Sequence, residues 1–253
     1  MSERTVSDAA QDLSKACDSQ IKKLIGKGGA KFVTNPLDYA WDLHKQYLDI
    51  AQRGGAKTLM LGMNPGPWGM AQSGIPFGAT AMAKKIGIIS VSLGEAEHHP
   101  KRPLVGLDLE RQEVSGTRIW NILFENYGDV ENIFENVFLV NHCPLLILSE
   151  TGANITPDKI PATSTAKLLD ACDKHLNEVI RIKGIKRVVG VGKYAEKRAR
   201  KALGAGKTGP GQLDGREIEI DTCWHPSPAS PLANRNNGED LKQNILSVLN
   251  KEW

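Results

Sequence analysis

Residues 57–80 constrain this chain more than any other stretch. They read KTLMLGM and then NPGPWGMAQSGIPFGAT. The first part is a short apolar run, the pattern of a strand buried on both faces. The second part cannot prolong that strand. Asn64, Pro65, Gly66 and Pro67 follow one another. Proline removes a backbone donor, and glycine opens dihedrals closed to other residues. A buried strand therefore stops abruptly in a loop that also carries two aromatic rings, Trp68 and Phe77. In open α/β sheets ligands bind at the carboxyl ends of strands. The loop is too apolar for a solvated connector and too rich in breakers for a helix. It is expected to wall a pocket for something flat.

Similar abrupt endings recur along the chain. Residues 137–143 (VFLVNHC) are a second apolar run, stopped by Pro144. A third strand, 187–191 (RVVGV), ends at Gly192, and a fourth strand, 217–223 (EIEIDTC), runs into Trp224, His225 and Pro226. Helical spacing marks 7–25, 35–52, 81–86, 115–127 with Ser115 as its cap, 164–182, 193–202 and 239–249. Residues 204–212 (GAGKTGPGQ) read as a flexible linker. Strands that alternate with helices predict a three-layer α/β/α domain around a central, mostly parallel four-stranded sheet. Residues 1–35 read as an N-terminal helical extension and 36–253 as the domain itself.

Composition removes several function classes. No apolar run is long enough to span a bilayer, and the N-terminus lacks a signal peptide's apolar region. A soluble chain is expected, cytoplasmic in a bacterium or nuclear in a eukaryote. Cys17, Cys143, Cys172 and Cys223 form no Cys-x-x-Cys pair, which argues against zinc ribbons and iron–sulfur clusters. They are expected to be buried small hydrophobes. His98 and His99 next to Pro100 suggest a solvated turn before a metal site. The net charge of +3 permits a nucleic-acid partner without demanding one. The strongest local cluster is the helix 193–202, with Lys193, Lys197, Arg198, Arg200 and Lys201 against Glu196.

Three of the four strands end in a polar residue beside or just before proline: Asn64, Asn141 and His225. In a parallel sheet those ends share one edge. The shared site holds two amides, an imidazole and aromatic rings, with no carboxylate pair, paired cysteines or adjoining lysine. An amide carries donors and an acceptor and can read a nucleobase edge. A phenyl ring can stack on a base. An imidazole can donate to an oxygen that turns negative as a bond breaks. Such a site suits a reaction with a good leaving group, in which water needs positioning more than activation. Hydrolysis of an N-glycosidic bond to uracil fits. Taken singly, each residue also has a structural reading, as turn cap, core ring or loop tie. Residue patterns alone reach a base-like ligand in a strand-end pocket.

The motifs themselves carry a resemblance. GMNPGPWGMAQSGIPFG (62–78) closely resembles the first motif of the single-strand-selective monofunctional uracil-DNA glycosylases, and HPSPASP (225–231) looks like their second. EHHPKRP, EVSGTRIW, NHCPLL and RVVGVGKYAEKRARKAL resemble family sequence in the right order, so the likeness spans roughly residues 35–250. It implies removal of uracil, and often 5-hydroxymethyluracil, from single- and double-stranded DNA, leaving an abasic site, with no metal or organic cofactor. By motif, Asn64 matches the residue that positions the attacking water and His225 the stabiliser of the uracil anion. Phe77 matches the stacking ring and Asn141 the amide that reads the pyrimidine edge. Met63 and Gly66 match pocket positions near C5. Lys193, Lys197 and Arg198 are expected on phosphates, and Ser227, Ala229 and Ser230 against DNA. The family usually has arginine and asparagine where Ala229 and Ser230 stand, so weaker action on duplex DNA is expected. The partner is DNA, with no membrane, and the chain is expected to be a monomer. The competing readings are a glycosylase for deaminated purines, a non-catalytic reader of damaged DNA, and a hydrolase using Cys143 with His225.

Overall fold

The computed structural model describes residues 4–252. Among the described residues, seventeen helices and strands, short 3-10 turns aside, follow one another. They begin with α1 (Val6–Leu24), β1 (Phe32–Thr34), α2 (Pro36–Tyr39), α3 (Trp41–Ala51) and β2 (Thr58–Gly62). Next come α4 (Met70–Ser73), α5 (Thr80–Lys85), α6 (Val114–Tyr127), α7 (Val130–Asn136), β3 (Val137–Asn141) and β4 (Leu146–Leu148). The chain finishes with α8 (Ala162–Lys183), β5 (Arg187–Val191), α9 (Lys193–Ala202), β6 (Gly211–Leu213), β7 (Arg216–Cys223) and α10 (Glu239–Leu249).

The main sheet runs in the order β3-β2-β5-β7-β6. The four expected strands are its parallel members. Every residue of β2, β3 and β5 is buried, as strands covered on both faces require. The sheet has a fifth strand. β6 pairs antiparallel with β7, so the end of the expected linker is an edge strand instead. Arg200 helps to hold the loop before it, donating to Gly206 and Gly209 carbonyls at 3.4 and 3.0 Å. A second small sheet, β1 against β4, was hidden by strands only three residues long.

The main core is a large cluster in which Leu59, Met60, Leu61, Phe138, Leu139, Val188 and Val189 of the sheet meet Tyr47, Trp120 and Phe134. The helix expected over 35–52 is broken at Ala40, whose φ of −110° and ψ of 26° leave the helical region. Asn35 is the cap that was expected, accepting from the Leu37 amide at 3.1 Å. The N-terminal residues do not stand off from the domain. α1 packs along α8, and Val6 and Ala10 belong to the main core.

Topology places the site. β2 is followed by β3 on one side, and the chain then crosses to β5 on the other. The strand order reverses at β2, and a crevice opens at such a switch point. The ladder continues past the strand ends, where His142 N–H donates to Gly62 O (3.0 Å) and Cys143 N–H to Met63 O (2.9 Å). The Gly62–Asn64 and Asn141–Cys143 segments are thereby fixed against each other.

Candidate active site

A cleft of about 420 Å³ opens at this edge, and its lining includes Met63, Asn64, Gly66, Phe77, Asn141 and His225. All six residues expected to bind or act on the substrate are thus brought together, from segments up to 162 positions apart (63 to 225). Two larger hollows, about 720 and 690 Å³, lie elsewhere. The first is lined by Arg4, Lys57 and Arg181 and the second by residues 90–108, and neither gathers an amide, an imidazole and a ring.

The inner wall depends on Gly62, the register partner of Asn141. A Cβ at Gly62 would lie 2.0 Å from Asn141 Oδ1 and 2.7 Å from Phe77 Cζ. The missing side chain is what lets amide and ring converge. Asn141 is 7% exposed, and its Nδ2 faces Met70 Sδ at 3.1 Å. Phe77 has a φ of +54°, a left-handed backbone that costs a bulky L-residue strain. Its surroundings hold it there. A Cβ at Gly116 in α6 would come within 2.0 Å of the Phe77 carbonyl, so the helix backbone lies directly against that residue.

Asn64, also on the lining, is held more loosely. Its Nδ2 reaches Pro65 O and Asn154 Oδ1 only at 3.4 Å each. Asn154 in turn donates to Pro65 O at 3.0 Å and lines the cleft. An amide held this loosely can still turn its oxygen to an incoming water.

His225 is held in one tautomer. The Ser227 N–H donates to its Nδ1 at 3.1 Å, so Nδ1 carries the lone pair and a neutral ring bears its proton on Nε2. Burial pushes its pKa below 6.5, which favours that neutral form. Two neighbours fix the loop. Arg118 of α6 donates to Pro226 O (3.1 Å) and to Asn234 Oδ1 (2.9 Å), and Asn234 donates to Pro228 O (2.8 Å). Gly192, with φ +86°, leaves room for the ring, since a Cβ there would sit 3.1 Å from His225 Cβ.

The cleft also holds groups that sequence reasoning missed. Glu113 is a carboxylate on its lining, where none was expected. It is the true cap of α6 and replaces Ser115 in that role, accepting from the Ser115 and Gly116 amides at 3.1 and 2.6 Å. Both oxygens serve the helix start, where the dipole favours a negative charge. Gln72 is fully buried and satisfies four backbone groups. Its Nε2 donates to Pro67 O and Pro103 O, both at 2.9 Å, and its Oε1 accepts from Val105 N and Gly106 N at 2.8 and 3.1 Å. It ties the motif loop to the 99–106 loop. The Glu-Val-Ser-Gly start of a helix could have exposed the first residue as a cap; nothing local signals the second.

Several expectations need correction. Arg198 is not a surface phosphate ligand. It is 8% exposed and its guanidinium pairs with Asp173 at 2.5 Å, beside His142. The helix period turns position 198 inward while Lys193 and Lys197 stay exposed. Lys193 pairs with Glu196 at 2.9 Å. His99 is no solvated turn. It is 4% exposed, its Nε2 contacts Glu150 O at 2.8 Å and its Nδ1 accepts from Lys101 N at 3.0 Å. Cys143 is buried with Cys17 and Cys172 in a separate apolar cluster and is absent from the cleft lining, against a nucleophilic role with His225. Ser227 lines the cleft, Ala229 is exposed next to it, and Ser230 closes a turn onto Ser227 O at 2.9 Å. Among the described residues no three His, Cys, Asp or Glu side chains are grouped to hold a metal ion, and no helix is long and apolar enough to cross a membrane.

Comparison with known proteins agrees with this geometry. Residues 49–250 match the model of the Uracil DNA glycosylase superfamily. The chain is 42% identical over 204 residues to the single-strand selective monofunctional uracil-DNA glycosylase of Rattus norvegicus, a match covering 80% of this chain and 70% of the rat protein. It is 40% identical over 217 residues to the Bos taurus protein of the same name, covering 85% of this chain and 75% of the relative. Among solved structures, wild-type SMUG2 of Pedobacter heparinus superposes with a TM-score of 0.52 at 17% identity, over 96% of this chain and 95% of that one, a likeness of fold. Sequence match and strand-end cleft agree, and the chain belongs to the uracil DNA glycosylase superfamily.

Proposed function

We propose that the protein is a monofunctional uracil-DNA glycosylase that hydrolyses the N1–C1′ bond of a deoxyuridine extruded into the strand-end cleft. In this reading a base leaves the stack, at a cost lowest in single strands and mismatches. Phe77 stacks on its face. The Asn141 amide reads the edge, its oxygen accepting from N3–H and its nitrogen donating to O4. Asn64 orients a water toward C1′. As the bond breaks, both electrons go to uracil, and negative charge on its O2 meets the Nε2–H of His225. Water adds to C1′ and loses a proton, uracil gains one, and an abasic sugar remains.

One observation carries the proposal. The Ser227 amide commits His225 Nδ1 as acceptor, which leaves the neutral ring an Nε2–H to offer in the cleft shared with Asn64, Phe77 and Asn141. A preorganised donor of this kind is worth about 10²–10³ in rate. Gly66 bears no side chain where the lip approaches Glu113, with 3.5 Å between a notional Cβ and Glu113 Cγ. The absence of a side chain at this lining position, rather than a void beyond it, supports tolerance of a 5-hydroxymethyl substituent. Ala229 has no bulk to fill the gap left by an extruded nucleotide, which supports a preference for single strands over duplex.

The test is incubation with single- and double-stranded oligonucleotides carrying uracil, 5-hydroxymethyluracil, hypoxanthine or xanthine, in chelator, followed by alkaline cleavage of abasic sites. Release of uracil, fastest from single strands and abolished in Asn64→Ala, is expected. Cleavage only of hypoxanthine or xanthine would assign another substrate. Binding without cleavage of any would make the protein a reader of damage.

A further inference from the structure

We infer that Trp68, Arg102 and Arg111 form a phosphate clamp at the rim of the cleft, which grips the backbone of the single strand flanking the extruded nucleotide. This rests on the glycosylase reading above and gives its substrate a second point of attachment. Trp68 is half-buried on the cleft lining. The Arg111 guanidinium lies over its ring at 4.3 Å from the centroid and that of Arg102 at 4.9 Å. Two like charges thus converge on one indole. Among the described residues neither forms an ion pair. Arg111 is exposed. Arg102 donates from Nη1 to the Lys101 carbonyl at 2.9 Å, while its Nε is buried without a partner. Most of the donors of two guanidinium forks are uncommitted.

The arrangement is built from beneath. Buried His99 closes the turn before Arg102, whose amide donates to His99 O at 2.8 Å. Gln72 fastens that loop to the Trp68 loop through Pro103 and Pro67. On the other side, Gln112 donates to Thr80 Oγ1 (2.9 Å) and accepts from the Ala81 amide (2.9 Å), and Glu113 caps α6, so Arg111 precedes two anchored residues. Hydrogen-bonded polar networks rigidify what they hold. Here they hold two unpaired cations beside a base-sized cleft. Guanidinium forks match phosphate oxygens, and stacking on an aromatic face orients them. A phosphodiester is therefore the ligand that fits. A grip on one backbone demands no wedge into a duplex, and it fits a chain with alanine at position 229.

The experiment measures binding of a 15-nucleotide single strand carrying 2′-fluoro-deoxyuridine, whose glycosidic bond resists hydrolysis, across a series of KCl concentrations. Each phosphate contact on a single strand contributes about 0.7 to the slope of log K against log salt. Arg102→Gln with Arg111→Gln should lower that slope by about 1.4 and raise KM for a cleavable uracil strand about tenfold, with kcat within twofold. Arg111→Gln alone, on an exposed side chain, should remove about 0.7 and guards against misfolding of the double variant. Arg111→Lys should keep the slope. An unchanged slope and KM in a double variant that melts like the parent overturns the clamp, as does a fall in kcat at unchanged KM. The two readings fail separately. A parent that releases no uracil defeats the glycosylase assignment, whereas the binding slopes report on the clamp whether or not cleavage occurs.

Discussion

Gly62→Ala tests the inner wall of the cleft most directly, because one methyl group meets both Asn141 and Phe77, the two residues proposed to recognise the base. The new Cβ would stand 2.0 Å from Asn141 Oδ1, where ordinary contact begins at 3.4 Å, so the amide must retreat about 1.4 Å. Phe77 Cζ, at 2.7 Å, must retreat about 0.7 Å. Neither has an easy path. Asn141 is buried against Met70 and fixed by the β2–β3 register, and the Phe77 carbonyl lies against Gly116. Overpacking of this kind costs about 1–3 kcal/mol of stability. The chemical cost is larger, because a misplacement of about 1 Å in a reacting complex lowers the rate about 10²-fold. Single-turnover release of uracil from a single-stranded oligonucleotide should therefore fall about 10²-fold or more, with a modest drop in melting temperature. A folded G62A protein that retains a rate within threefold of the parent would refute the claim that this glycine sets the pocket.

Other consequences follow from individual groups. Under the proposed mechanism, protonation of His225 Nδ1 removes the acceptor by which the Ser227 amide orients the ring, and burial lowers the pKa of this ring, so activity should be flat at and above neutral pH and fall about tenfold per unit once pH drops below its pKa in the folded protein. A pH–rate profile that instead rises toward acid would assign the work to the imidazolium. K197Q should reduce the salt slope of single-strand binding by about 0.7, whereas Arg198→Ala should leave the slope intact and lower stability by about 1–3 kcal/mol, because Asp173 then keeps only its His142 partner; denaturant melts and salt titrations separate the two. Burial pushes His44 down to about 4 and His175 to about 3. Both are neutral in the fold at pH 5, while the unfolded chain takes up protons below 6.5, so stability is lost as pH falls. Each should cost about 2 kcal/mol at pH 5 relative to pH 7. Urea midpoints should show H175L recovering about that amount, since His175 Nδ1 has no hydrogen-bond partner to lose.

Much of this protein is legible along the chain. Three of the four parallel strands, β2, β3 and β5, are strong apolar runs closed by glycine or asparagine, and burial on both faces leaves such runs few alternatives. Because parallel strands point the same way, Asn64, Asn141 and His225 had to share an edge once the runs were recognised. Asn35 caps its helix as the Asn-Pro pair predicts, whereas at α6 a glutamate two residues before Ser115 does the capping. β1 and β4 are too short for a periodic signal, and β6 draws its order from β7.

What escaped the sequence depends on direction and on distant partners. Five basic residues on α9 look alike in order, but a 3.6-residue turn sends Arg198 into the core toward Asp173 and leaves Lys197 in solvent. Gln72 and Glu113 announce nothing in their own neighbourhoods; their roles exist only when loops from 67, 103 and 116 arrive around them. The pairing of Arg102 and Arg111 over Trp68 likewise joins three separate segments. The order of apolar runs and breakers determined a sheet with an edge of polar strand ends. Only tertiary packing decided which side chains face the cleft, because hydrogen-bond partners and van der Waals contacts are set by proximity in space, which linear spacing does not encode.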